Sequence, residues 1–358
     1  MTFSNYTFDP RLAYASTIPA DWYRGEEILA LEKEKIFSKT WQLVGRAEQV
    51  ATIGSYFTAM VGNEPIIVVR GKDDFLHAFS NVCRHRAGPV AKGSGKRNVF
   101  QCGYHGWTYN LAGKVLHNPE FDGVECFDKA NYCLPEFKVD TWGQLVFVNL
   151  DLNAPSLAIY LEDLPSRVSY HDMSNLKLAA RKDWYLDCNW KVYIDNYLEG
   201  YHIPLVHPGL NRELDYSKYR TETKRHYSIQ HSPIKENATR LVQGQDTGNP
   251  AQYFWIFPNL MINVYPDNYS TNLIIPISPT KTLTVFEWYF RDPENEHVKK
   301  EVERVVKFSD EIQIEDIEIC ETVQRGLESH TYSQGRYSVK RENGVHHFHG
   351  LLMEYFGQ

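Results

Sequence analysis

The chain has 358 residues, 42% apolar and 23% charged, enough for one large or two medium domains and unlike a disordered or fibrous sequence. Thirty-eight Lys and Arg against 45 Asp and Glu leave a net charge of −7, so no basic field draws nucleic acid or anionic lipid. No stretch approaches the ~20 apolar residues of a membrane span. The start, MTFSNYTFDPRLAYAS, lacks the basic-then-apolar pattern of a secretory signal, and six Cys are too sparse for a disulfide scaffold. A cytoplasmic protein with reduced thiols is the expectation.

In chain order, strands are expected at 55–60, 64–70, 75–82, 114–116 and 144–149, with Gly- and Asp-containing turns between them. Val90 to Arg97 reads as an exposed turn, and 151–155 as a seam ahead of a short helix over 157–168. Further strands are expected at 182–187, 252–255, 260–264, 273–276 and 282–290. A helix is expected over 189–201 and a long one over 296–327. The fold class is α+β, a small antiparallel β domain ahead of a domain with an antiparallel sheet and a long C-terminal helix.

Two groups of residues carry chemistry. The first is Cys83-Arg84-His85 and Cys102-Gly103-Tyr104-His105. Structural zinc also uses two Cys and two His, but zinc fingers pair Cys with Cys and His with His. Here each loop supplies one of each, which suits a [2Fe–2S] centre with both Cys on one iron and both His on the other. Cys126, Cys133, Cys188 and Cys320 have no such spacing and read as core or surface thiols.

Those residues, CRHRAG and FQCGYHGWTYNLAGKV, resemble the Rieske motif of the Rieske non-heme iron oxygenases, the terminal oxygenase α subunits. The resemblance covers nearly the whole chain. It implies a 1–39 segment packing on the catalytic domain, a Rieske domain over 40–155, and a helix-grip-like catalytic domain over 156–358 with mononuclear Fe(II).

The second group is Glu199-Gly200-Tyr201-His202-Ile203-Pro204-Leu205-Val206-His207. On an unbroken helix the two His would lie about 140° apart, so they cannot share a metal unless the helix breaks, and Pro204 is expected to break it between them. A carboxylate would complete a facial triad with open positions for water, O2 and substrate. Spacing alone leaves Asp316, Glu315 and Glu318 open. An inward stripe of Ile312, Ile319 and Val323 favours Asp316, which is costly to bury unless paired or metal-bound.

The resemblance assigns the ligands to His202, His207 and Asp316, and to Glu199 a bridge toward a Rieske His of a neighbouring subunit. Family members acting on aromatic rings commonly carry Asp there, whereas those acting on carnitine- and betaine-like compounds carry Glu. It further implies a homotrimer fed by a separate NAD(P)H-dependent reductase, directly or through a ferredoxin, because the chain has no G-x-G-x-x-G unit of its own.

The expected reaction is hydroxylation or demethylation of a small substrate such as a quaternary ammonium compound, which could sit against Tyr193, Tyr197, Phe254, Trp255, Tyr265 and Trp288. Ring hydroxylation of an aromatic acid is the runner-up, and a Rieske electron carrier the non-enzymatic reading. The 23 tyrosines fit either pocket or core. His346, His347 and His349 read as structural or surface residues.

Overall fold

The computed structural model describes residues 6–169, 173–236, 238–239, 252–265 and 268–357, and the chain divides into two compact units. One comprises 33–162. The other comprises 163–358 together with 1–32, which carry helix α1 (Glu26–Glu32). The helical turn Lys33–Phe37, read from the sequence as part of the segment on the catalytic domain, groups with the first unit. Ile36 is fully buried there, and its carbonyl accepts the Thr40 hydroxyl at 2.8 Å.

The first unit is built from β1 (Gln42–Arg46), β2 (Ser55–Val61), β3 (Glu64–Arg70), β4 (Leu76–Ser80), β5 (Ser94–Lys96), β6 (Val99–Gln101), β7 (Thr108–Asn110), β8 (Val115–His117), β9 (Glu136–Trp142) and β10 (Leu145–Asn149). One antiparallel sheet runs β1-β10-β9-β4-β3-β2-β5, and a smaller one runs β6-β7-β8. The Ile/Val run of β3 is continuous because both faces of this strand are covered. Ile66 and Val68 enter one core with Phe57, Ala78 and Val146, while Ile67 and Val69 enter the other with Phe100, Trp107 and Tyr109.

The stretch expected to be one exposed turn is mixed. Val90 and Ala91 are buried, and Ser94–Lys96 pairs with β2 as an exposed edge strand. The unit also holds α2 (Leu157–Leu161), which ends at Glu162 with φ 52°, so the single helix expected over 157–168 is broken. Its second part, α3 (Leu164–Arg167), belongs to the other unit.

In the second unit, β11 (Lys177–Leu186), α4 (Trp190–Tyr197), α5 (Ile203–Val206) and α6 (Pro208–Glu213) precede a run of strands. These are β12 (Arg220–Thr223), β13 (Tyr227–His231), β14 (Gln252–Ile256), β15 (Leu260–Val264), β16 (Asn268–Ser278) and β17 (Lys281–Phe290), each antiparallel to the next, with β11 added on β17. Helices α7 (Glu296–Leu327) and α8 (Asn343–Tyr355) complete it. Asn295 starts α7 by accepting the His297 amide at 2.9 Å, and Asn189 starts α4 by accepting the Lys191 amide at 3.0 Å. Among the described residues no helix is long and apolar enough to cross a membrane.

The inward face of α7 differs from the expected Ile/Val stripe. Val323 is 43% exposed, whereas Gln313, Cys320, Gln324 and Leu327 are buried. Gln313 accepts from the Tyr193 hydroxyl at 2.5 Å and donates to the Thr284 hydroxyl at 3.3 Å, whereas Gln324 accepts from the Asn189 amide at 2.8 Å and its buried nitrogen has no partner among the described residues. Helix α8 closes against the end of α4 at Gly344, where a Cβ would stand 2.5 Å from the Leu198 carbonyl oxygen. His349 of α8 is fully buried and bonded to Tyr337 at 2.5 Å and Asp195 at 3.0 Å, a structural role.

A buried ion pair fastens α1 to α4. Glu32 takes the Lys191 ammonium at 2.5 Å and the Trp190 indole N–H at 2.7 Å, with both charged side chains fully buried. Burial pushes the Glu32 carboxyl up and the Lys191 ammonium down, and each partner pulls the other back toward its charged form. Glu32→Leu strands a buried ammonium, a loss of about 3–5 kcal/mol. The thermal unfolding midpoint of this unit should fall by roughly 10 °C. Glu32→Leu/Lys191→Met should recover much of that; a double variant as unstable as the single one contradicts the assignment.

Candidate functional site

The two Cys/His loops of the first unit share one backbone plan. The Cys83 amide donates to the Gly88 carbonyl at 2.8 Å and the Ala87 amide to the Cys83 carbonyl at 3.0 Å. The Cys102 amide likewise donates to the Trp107 carbonyl at 2.9 Å and the Gly106 amide to the Cys102 carbonyl at 3.1 Å. Each loop turns through a residue of positive φ, Ala87 at 58° and Gly106 at 73°.

Both Cys are buried. The imidazoles of His85 and His105 lie 4.6 Å apart between centroids at 70°, and His85 stacks on Trp107 at 5.3 Å. Burial is the main influence lowering the His105 pKa, with the positive groups of His85 and Arg86 behind it, which favours the neutral ring a metal ligand needs.

Three observations fit a cluster held by these loops. His85 Nδ1 is buried with no hydrogen-bond partner. Gly88 leaves open a space beside the Cys102 sulfur, where a Cβ would stand at 3.0 Å. The Tyr109 hydroxyl lies 3.3 Å from the Cys83 sulfur while accepting the Arg84 amide at 3.0 Å, so its proton is free to point at the sulfur.

In the second unit α4 ends at Tyr197, and the chain turns at Gly200, which the Tyr219 ring crowds to 2.5 Å of where a Cβ would be. The expected break between the two His is placed differently. Pro204 sits in the first turn of α5, where its missing N–H costs nothing. The breaks fall at the ends of that turn, so His202 and His207 cap it on either side.

The two rings are 5.0 Å apart between centroids at 75°. Their Nε2 atoms converge on one oxygen of Asp316, which is 3.0 Å from His207 and 3.9 Å from His202. Among the described residues this is the group of three or more ligand-type side chains with donor atoms all within 4.8 Å of one another.

Asn196 donates to the same Asp316 oxygen at 2.6 Å. Glu199 lies 2.6 Å from His202 Nδ1, and its other oxygen accepts the backbone amides of Tyr201 and His202. Burial disfavours a charged His207, but hydrogen bonds and charge from Asp316 and Glu315 outweigh it and raise its pKa. A divalent cation would replace the Nε2 proton among the same groups. Two imidazoles and a carboxylate on one side of an ion match a facial triad for Fe(II), which leaves the opposite positions open.

Asn196 escaped the sequence reading; its only local signal is its place, six residues before His202 on the helix that leads to it. Glu318, which spacing had left open as a ligand, is exposed. Of the expected pocket residues, Trp255, Phe254 and Trp288 are core. The Trp255 indole donates to the Pro258 carbonyl at 3.1 Å and packs on Phe348, Phe254 lies 6.4 Å from Tyr227, and Trp288 packs on Phe286.

The tyrosines divide. Tyr193 is buried against Gln313, and burial, with Asp316 behind it, holds its phenol protonated. Tyr197, Tyr219, Tyr253 and Tyr265 form a partly exposed cluster that also reaches Glu199; Tyr253 and Tyr265 meet edge-on at 6.0 Å. Strand alternation puts Tyr253 on the face opposite Phe254, a signal the sequence did carry.

Comparison with known proteins gives a family for each part of the chain. Residues 40–128 match the Rieske [2Fe-2S] domain, and 173–358 match the ring hydroxylating alpha subunit (catalytic domain). Choline monooxygenase, chloroplastic, of Arabidopsis thaliana is 36% identical over 96% of this chain and 84% of its own. The carnitine monooxygenase oxygenase subunit of Escherichia coli K12 is 32% identical over 98% and 96%. The quaternary ammonium Rieske monooxygenase CntA in complex with L-carnitine superposes with a TM-score of 0.83 at 33% identity over 97% of both chains. Naphthalene 1,2-dioxygenase from Rhodococcus, 20% identical with a TM-score of 0.78 over 95% and 94%, shares the fold.

A catalytic domain beside the Rieske domain removes the electron-carrier reading. The chain belongs to the Rieske non-heme iron oxygenases: an O2-using oxidoreductase with a [2Fe–2S] cluster and a mononuclear iron, supplied with electrons by a reductase or ferredoxin.

Proposed function

We propose that this oxygenase hydroxylates a C–H bond next to the nitrogen of a small quaternary ammonium compound. One observation carries the reading: the near full-length likeness to choline and carnitine monooxygenases, in a chain that places Glu199 against His202. Ring hydroxylation of an aromatic acid has only the likeness of fold behind it.

The Rieske ligands are proposed to be Cys83, His85, Cys102 and His105, and the iron ligands His202, His207 and Asp316. When bound, the iron supplies reductive activation of O2 with electrons delivered through the cluster. The chain's own residues do the positioning. Asn196 orients the Asp316 carboxylate, and Glu199 fixes the His202 ring with Nε2 toward the metal. Glu199 is further proposed to bridge to a Rieske His of a neighbouring subunit in a homotrimer. Electrons come from an NAD(P)H-dependent reductase in a separate chain, directly or through a ferredoxin, and the setting is cytoplasmic.

A quaternary ammonium has no N–H to donate, so recognition falls to π faces and nearby negative charge. The phenols of Tyr197, Tyr219 and Tyr253 are held protonated by burial first and by mutual proximity or Glu199 second, and they offer neutral faces beside a carboxylate. The balance is one O2, two electrons and two protons for one water and one carbinol. Where that carbon sits on the quaternary nitrogen, loss of the hydroxyl proton forms the carbonyl as the C–N bond breaks, and a neutral tertiary amine leaves.

With a surrogate reductase, choline-, betaine- and carnitine-type cations should drive coupled O2 uptake. The uncharged isostere 3,3-dimethylbutan-1-ol should fall on the order of tenfold or more in kcat/KM, a cation–π loss of about 2 kcal/mol; equal turnover of cation and isostere rejects the substrate class. Asp316→Ala should lose the mononuclear iron and oxygenation while the visible absorption of the cluster persists. Unchanged turnover removes the triad assignment. Glu199→Gln, which keeps an acceptor for His202 Nδ1, should abolish turnover even when excess Fe(II) keeps the mononuclear site filled and the cluster absorption is intact, and full activity rules out the bridge.

A further inference from the structure

We propose that Glu315 is a positioning residue for the metal site, holding the imidazole of His207 so that Nε2 faces the ion. The inference rests on the triad of His202, His207 and Asp316 and adds to it a group that neither the motif nor the spacing assigns.

Glu315 and Asp316 are consecutive on α7, yet they address opposite nitrogens of one ring. Glu315 Oε2 lies 2.6 Å from His207 Nδ1, and Asp316 Oδ1 lies 3.0 Å from Nε2. Neighbouring positions on a helix diverge by about 100°. The extra methylene of Glu lets its carboxylate reach the far edge of a ring whose near edge Asp316 occupies.

His207 needs such a partner more than His202 does. Its side chain is 2% exposed, so an Nδ1–H without an acceptor would carry the full cost of a buried orphan donor. It also sits between two helical segments with φ −116° and ψ 69°, where neither helix dictates its ring plane. Glu315, 37% exposed, keeps its charge partly solvated while accepting the Nδ1 proton. The tautomer follows: with Nδ1–H given to Glu315, the lone pair is on Nε2, directed where Asp316 and His202 Nε2 converge. Glu199 does the same for His202 on the other side. A histidine bridging two carboxylates could instead be only a structural ion pair, and the experiment separates the two.

The mononuclear site of the purified full-length protein is emptied by chelation with the cluster kept oxidised. Mn(II) binding is then followed by the loss of the free-ion electron paramagnetic resonance signal. Glu315→Ala should weaken Mn(II) binding about 10–100-fold, the usual effect of removing a carboxylate behind a metal-bound His. Glu315→Gln keeps an acceptor for Nδ1–H without the charge and should fall between it and wild type; it also carries the comparison if the Ala variant does not fold. Glu318→Ala, exposed on the same helix, should bind as wild type.

A lower unfolding midpoint for Glu315→Ala with Mn(II) affinity equal to that of Glu318→Ala overturns the proposal in favour of the ion pair. Absence in wild type of a bound Mn(II) that Asp316→Ala loses overturns the triad itself, a different result from wild-type binding that Glu315→Ala leaves unchanged.

Discussion

A carboxylate carried into the interior on a 32-residue helix is the constraint to which the rest of the catalytic unit answers. Asp316 is 14% exposed, and an ionised group at that depth is tolerated only among donors or cations. The fold brings both from 120 and about 110 residues away: the Asn196 amide, and two imidazoles whose Nε2 atoms point at one of its oxygens. The face around it is polar for the same reason. Gln313 and Gln324 sit where a plain amphipathic helix would carry Leu or Ile, and the oxygen of each accepts a hydrogen bond from a residue on or at the start of α4. Helix α4 in turn is anchored from beneath by Glu32. The sheet β11–β17 thus supports two helices joined by hydrogen bonds at Asn189, Tyr193 and Asn196, whose directionality fixes their register.

The Cys/His loops and the interval from His202 to His207 were legible because their signals are local. Cys83 and His85, Cys102 and His105, and His202 and His207 each lie within a few residues of one another, and the turns that aim them are written in the neighbouring Gly and Pro. Helix α7 was legible over its whole length, since apolar residues spaced between acidic and basic ones from 296 to 327 need no distant partner to be read. Ile312, Ile319 and Val323 do not mark the inward side of α7, because its buried side near Asp316 carries amides. Amides read as exposed in any hydropathy pattern, and only pairings such as Tyr193 with Gln313, 120 residues apart, reveal otherwise.

Elements that escaped the sequence share a different cause. β6 and β7 have three residues each, too few to show a period of two, and they pair across the loop that carries Cys102 and His105. Helix α8 carries three His and two Gly in thirteen residues, a composition of low helix propensity that tertiary packing on α4 overrides. The tyrosine excess likewise could not be assigned from composition. Tyr269 and Tyr289 stack at 4.5 Å as core, while Tyr219, Tyr253 and Tyr265, also from strands or their flanks, gather with Tyr197 from the end of α4 in the cluster that reaches Glu199.

The single turn between His202 and His207 has a consequence for how such a chain can change over time. Because the two residues cap one short helix from its opposite ends, their separation is a fixed length of backbone rather than a loop. One residue more or less would swing the second ring by about 100° and move it by 1.5 Å along the axis. Substitutions within the turn are tolerable at Leu205, which is 90% exposed, but insertions and deletions are not. This interval therefore behaves as a ruler, free in much of its lettering and rigid in its count.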